Sequence, residues 1–169
     1  MRAPRARRAE LATPASSERM CEKAASSGAD LVFLDLEDAC APSAKEGARG
    51  IAVDALTGLD WGSTIRAVRI NGIDTPWCHG DIIEVVTGAR DALDVLIVPK
   101  VRRARDVWWV DVLLTQLETK LRLPRPQSPP HRPKPWLRPR QPQIQDRPHH
   151  NKFRQRPRKV PGPKQKWTP

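Results

Sequence analysis

Leu31-Val32-Phe33-Leu34-Asp35-Leu36-Glu37-Asp38 is the stretch on which the fold turns. Residues 31–36 are an apolar run of strand length, broken only by Asp35. Such a run fits a strand covered on both faces, as parallel sheets require. It ends in a burst of carboxylates, Asp35, Glu37 and Asp38. A buried parallel strand with acids at its carboxyl end already points to an α/β fold whose chemistry sits at the strand ends.

The flanking sequence repeats the theme. Upstream, Leu11-Ala12-Thr13 reads as a short strand ending at Pro14. Ser16 or Ser17 can cap a helix with Glu18 in its first turn, and Gly28 suits its end. Downstream, Ser43-Ala44-Lys45-Glu46 has the form of a capping box, which predicts a helix to about Leu56. Thr64 to Ile70 reads as a third strand, Asp81 to Thr87 as a short helix, and Val95 to Val98 as a fourth strand halted by Pro99. Val107, Val110, Leu114, Leu117 and Leu121 recur at spacings of three and four, the mark of a helix with one buried stripe. Alternation of this kind predicts parallel strands with right-handed crossovers. A doubly wound sheet and a (β/α)8 barrel both remain open, although no GxGxxG follows the first strand. A barrel needs eight such units, and four are legible.

Charge divides the chain. The formal net charge is +11. Residues 1–122 carry 17 basic and 18 acidic groups, whereas 123–169 carry 13 basic groups and one acid, Asp146. Thirteen of the 18 prolines also fall in 123–169. Two domains are expected: an α/β domain over 1–122, its closure still open, and a basic Pro-rich tail over 123–169 too poor in apolar residues to offset the entropy of ordering it. Cys21, Cys40 and Cys78 form no CxxC pair and are odd in number, which suits a reduced, cytoplasmic protein. No apolar run reaches ~20 residues, so no membrane span is expected. Met1 to Arg8 has four arginines and no apolar core of a secretory signal.

The unusual polar residues gather where strands end. They are Ser16 and Ser17 after the first, Asp35 to Asp38 after the second, Arg69-Ile70-Asn71 after the third, and Pro99-Lys100 after the fourth. With a period of two, Asp35 and Glu37 share one face, as do Ala67, Arg69 and Asn71. If those faces meet, Arg69 lies near Glu37, and a guanidinium held by a carboxylate is ready to grip a substrate oxygen. Plainer readings stand beside this one: a solvated acidic loop for 35–38, a structural ion pair for Arg69, and a basic loop for Lys100 with Arg102, Arg103 and Arg105. Cys78-His79 has no second pair at ligand spacing and is read as loop. Trp108 and Trp109 are read as packing residues.

Pro14-Ala15-Ser16-Ser17, Phe33-Leu34-Asp35-Leu36-Glu37-Asp38-Ala39, Leu59-Asp60-Trp61-Gly62, Val68-Arg69-Ile70-Asn71-Gly72-Ile73-Asp74-Thr75 and Val98-Pro99-Lys100-Val101 together resemble the HpcH/HpaI aldolase and citrate lyase β-subunit family, in its malyl-CoA/β-methylmalyl-CoA lyase branch. The pieces fall in order across residues 8–121. The resemblance implies a TIM-like barrel, homo-oligomeric at full length, and Mg²⁺-dependent reversible cleavage of a 3-hydroxyacyl-CoA. Its partners would be an acyl-CoA thioester and a 2-oxoacid such as glyoxylate. It implies that Arg69 stabilises a developing oxyanion or enolate, that Glu37 and Asp38 orient that arginine and metal-bound water, and that Asn71 and Ser16 line the substrate. Arg8 and Lys100 would lie towards the CoA.

The chain also departs from that pattern. The family's metal ligands, a Glu and an Asp, come from later strands for which no equivalent is legible. Asp146 sits among Gln and Arg and is no substitute. Expected from this is a truncated, inactive N-terminal fragment of a lyase, with 123–169 an out-of-frame reading of the remainder. The other expectation is a genuine tail: its positive charges with Trp136, Phe153 and Trp167 would hold nucleic acid in a salt-sensitive way, or its PxxP spacing (Pro126 to Pro129) would offer a groove ligand. In either case the first and fourth strands would be open edges that invite association.

Overall fold

The computed structural model describes residues 7–123. The tail readings, and Met1 to Ala6, lie outside the described residues. Eight elements alternate: β1 (Glu10–Pro14), α1 (Glu18–Ala25), β2 (Leu31–Asp35), α2 (Lys45–Gly58), β3 (Ile65–Arg69), α3 (Cys78–Ala89), β4 (Val95–Ile97) and α4 (Ala104–Leu121). All pairings are parallel and the strand order is β1-β2-β3-β4. This order decides between the two closures. A doubly wound sheet reverses direction at a switch point, whereas sequential strands joined by right-handed crossovers keep every helix on one face. The helices pack in series, α1 on α2, α2 on α3 and α3 on α4, as on the outside of a barrel. Among the described residues β1 and β4 each pair on one side only.

The helix-facing side of the sheet carries Val32, Leu34 and Leu36, then Val68 and Ile70, then Leu96 and Val98. These meet Ala48, Ala52 and Leu56 of α2 and Ile82, Val85 and Val86 of α3 in one core. Leu34, Leu36, Leu56, Ile70 and Ile82 are among its fully buried side chains. Each contributes about 1.5–3 kcal/mol relative to exposure. The alanines of α2 let the layers close up. At Gly88 of α3 a Cβ would lie 2.7 Å from Val53 Cγ1, so only glycine fits that helix contact. The opposite face of the sheet carries Phe33, Asp35, Ala67 and Arg69, with Phe33 level with Ala67 and Asp35 level with Arg69.

Several local expectations change. Helix α2 is present, but its capping box is not: Pro42–Ala44 form a 3-10 turn that runs straight into the helix, and Ala44 at the N-cap makes no side-chain bond. Ser17 does occupy the N-cap of α1, again without a side-chain bond. Cys78 and His79 are the first turn of α3, not loop. Val107 is 51% exposed and lies off the buried stripe of α4, which is led by Asp106 and Val110. Trp108 and Trp109 are likewise exposed. Helix α4 ends at Leu121. Arg122 turns left-handed at φ +53, and the Leu123 amide donates to Glu118 O at 3.0 Å. None of the described helices is long and apolar enough to cross a membrane.

Candidate active site

The carboxyl ends of β2, β3 and β4 bring Asp35, Glu37, Asp38, Arg69 and Lys100 together. Register does the first part of this work. Asp35 and Arg69 are the last residues of adjacent parallel strands, side by side on the face away from the helices. Arg69 Nε donates to Asp35 Oδ1 at 2.8 Å and Nη2 to Oδ2 at 2.7 Å, a two-point grip of the kind only guanidinium can make. The Phe33 ring centroid lies 5.4 Å from the guanidinium carbon, a cation–π contact one step back along the same face. Glu37 Oε2 approaches Arg69 Nε at 3.6 Å, and Asp38 Oδ2 approaches Nη2 at 3.8 Å. Arg69 Nη1 donates no hydrogen bond to any described residue.

The carboxylates differ in setting. Asp35 is buried, and it also accepts the amides of Glu37 (2.9 Å) and Ala39 (3.0 Å), so it folds the loop behind it as well as holding Arg69. Burial alone would raise its pKa, but the Arg69 hydrogen bonds and the two amides outweigh it and hold the carboxyl below the usual range. Arg69 is held above its ordinary value, chiefly by the Asp35 hydrogen bonds working against burial, with the charges of Glu37 and Asp38 adding to them. Glu37 is 7% exposed. Lys100 Nζ forms an ion pair with its Oε1 at 2.9 Å. Lys100 also reaches Asp38 Oδ1 at 3.3 Å, and contacts with these two acids raise its pKa. Its backbone is left-handed, φ +52, an uncommon state for a non-glycine residue and one that tends to mark functional sites.

Two of the residues expected at the site sit elsewhere. Arg8 lies before β1, at the amino end of the sheet, where it meets Asp30 just ahead of β2. Parallel strands put that point at the far end from Arg69. Asn71 lies beyond the end of β3, where the period of two no longer holds. It is buried at 2% and faces the helices: its Oδ1 accepts from Lys45 Nζ (2.6 Å), while its amide N–H and Nδ2 donate to Asp81 Oδ2 (2.8 and 2.7 Å). Ser16 is half-buried in the β1–α1 turn, at the right edge of the sheet; the neighbouring Ala15 amide donates to Asp35 O.

Sequence reading missed the polar layer beneath the site. Lys45 and Arg49 lie on the buried stripe of α2 with Ala48 and Ala52, and Asp81 on that of α3. Arg49 engages Asp81 (2.9 Å), Glu84 (2.7 Å) and Trp77 O (3.2 Å), one acceptor for each nitrogen. The signal was present as charged residues at core spacing. The Cys78 thiol is pushed up to about 11, first by burial and then by Asp81 and Asp74. Among the described residues no group of three His, Cys, Asp or Glu side chains is placed to hold a metal ion.

Sequential parallel βα units with an ion-paired arginine at their carboxyl ends define a barrel-type α/β enzyme domain. The chain belongs to the HpcH/HpaI aldolase/citrate lyase family, whose sequence pattern matches residues 8–147. It is 46% identical over 118 residues to the L-malyl-CoA/β-methylmalyl-CoA lyase of Cereibacter sphaeroides, across 69% of this chain and 37% of that protein. A citrate lyase β subunit from Mycobacterium tuberculosis, solved with oxaloacetate and magnesium, is 31% identical with a TM-score of 0.50, over 60% of this chain and 42% of that one. The Haloferax volcanii malate synthase, in a magnesium/glyoxylate complex, shares the fold at a TM-score of 0.65 and 20% identity, over 73% of this chain and 41% of that one. The chain thus spans well under half the length of these relatives.

Proposed function

We propose that residues 8–123 form the arginine-bearing arm of a CoA-ester carbon–carbon lyase site, one that cleaves a malyl-CoA-like 3-hydroxyacyl-CoA reversibly to a 2-oxoacid and an acyl-CoA. The observation that carries this reading is Arg69: locked on Asp35 by two bonds, it keeps Nη1 unengaged at the strand ends. In such a cleavage the 3-hydroxyl loses its proton, the bond between C2 and C3 breaks, and the electron pair passes to the thioester as an enolate, which then takes up a proton. Negative charge grows on oxygen throughout. A donor fixed before the reaction begins stabilises that charge without reorganising. Nη1 supplies the donor, while Asp35, Glu37 and Asp38 keep the guanidinium aimed. Ser16 lines the same edge, and Lys100 adds positive charge on the side where the thioester and its phosphates would approach.

Magnesium, present in the mycobacterial relative, has no ligand set among the described residues. Asp35, Glu37 and Asp38 are each matched to Arg69 or Lys100 instead. No step here passes through the metal, and full turnover is assigned to residues outside these four βα units together with this arm. Calorimetric titration of the 169-residue chain with glyoxylate tests the reading. Saturable binding that weakens in Arg69→Lys supports it, and its absence in the wild type removes it. Strands β1 and β4, each paired on one side only among the described residues, with the exposed Val107 and Trp108, further favour self-association. Sedimentation should show species heavier than a monomer, and a sharply melting monomer would count against it.

A further inference from the structure

We propose that Lys45 is a positioning residue for Arg69, acting through the loop that follows β2; the idea rests on Arg69 being the substrate-gripping group. Lys45 opens α2 and is 5% exposed. An ammonium has three N–H bonds, and here each has an acceptor: Leu36 O at 2.8 Å, Glu37 O at 2.6 Å and Asn71 Oδ1 at 2.6 Å. The Trp77 ring centroid lies 5.2 Å from Nζ. No carboxylate of a described residue pairs with Lys45. Carbonyl dipoles and a π-face hold its charge. A buried cation without a carboxylate is an expensive way to fill a helix stripe that, apart from the carboxylate-paired Arg49, is alanine and leucine. Packing therefore does not account for it, whereas its three acceptors do.

Two of those acceptors are consecutive carbonyls in the loop that carries the acids. Asp35 grips the same loop through the Glu37 and Ala39 amides. The loop is thus pinned on both sides, its N–H groups by Asp35 and its C=O groups by Lys45. This double hold fixes the backbone from which Glu37 and Asp38 reach Arg69 and Lys100. The third acceptor, Asn71, ties the arrangement through Asp81 to Arg49 and the helix layer.

The test uses the full chain, ¹⁵N-labelled, with Lys45→Met and Trp61→Phe. Trp61→Phe removes the Trp61 Nε1 bond to Ala55 O in the core, remote from the loop, and so supplies a loss of stability unrelated to the site. In Lys45→Met, exchange of the Arg69 Nε proton with water should speed up by about tenfold beyond what the loss of global stability explains, because the acids beside it are released locally. Trp61→Phe should show only the global part. Glyoxylate affinity should fall with the first variant and hold in the second. Equal Arg69 exchange in the two variants at matched stability would overturn the proposal. If the wild type does not bind glyoxylate, the reading of function fails, yet the exchange comparison still decides the role of Lys45. Should Lys45→Met not fold, Lys45→Gln is judged by the same exchange measurement.

Discussion

Arg49 and Arg69 are both held by an aspartate, and they do opposite things. Arg49 lies between α2 and α3 with its side chain 9% exposed, and every nitrogen has a protein acceptor. Burial would lower its pKa, but Asp81 and Glu84 outweigh that and keep it raised. Gly80 makes room for it: a Cβ there would lie 2.8 Å from both terminal nitrogens. Arg69, 26% exposed, has two nitrogens on Asp35 and one that donates no hydrogen bond to a described residue. One guanidinium closes a core; the other is held by its back and shows its front. Under the proposed function, what separates the two arginines is a guanidinium nitrogen left without an acceptor among the described residues, not the strength of the ion pair.

The same substitution at both positions tests that contrast. Arg49→Lys should cost about 2–4 kcal/mol in urea unfolding, because a compact ammonium cannot reach Asp81, Glu84 and the Trp77 carbonyl where they lie around the planar guanidinium fork. Arg69→Lys should cost only about 1 kcal/mol of stability, yet weaken glyoxylate binding about tenfold, since the fork that aims Nη1 is lost. If Arg69→Lys proved the more damaging to stability, the contrast would collapse. Acid sharpens it. Because Asp35 is depressed in the folded chain, its ionised form stabilises the fold above the unfolded aspartate value of about 3.9, and this contribution is lost as pH falls from there through the lower folded value. Unfolding of wild type and Asp35→Asn should therefore differ most near neutrality and converge as pH falls below the unfolded aspartate value. The smallest effect belongs to Lys100→Ala. Its side chain is 61% exposed, so a slight loss in melting temperature should shrink as salt is raised.

Much of the fold could be read from periodicity. The run at 31–36, the strand at 64–70 and the helical spacing from Val110 to Leu121 come from burial, which sequence pattern reports directly. The Arg69 and Glu37 neighbourhood followed from counting in twos along parallel strands. That count fails at Asn71, because the strand has ended and the side chain turns to the helix layer. The period of two makes Asp35 a face-mate of Glu37 but does not single it out as the main partner of Arg69, since only register sets the two level. Cys78-His79 looked like loop because helix α3 begins with no capping side chain to announce it.

The sequence by itself determined the alternation of strand and helix, the family, and the clustering of charge at the strand ends. These depend on residue type and local spacing. Tertiary structure alone decided the order of the strands, the partner of each arginine, and the burial of Lys45 against two loop carbonyls. Those depend on which segments meet in space. Four charged residues near two strand ends admit many pairings, and only packed geometry selects the one in which Asp35 holds Arg69 and leaves one of its nitrogens open.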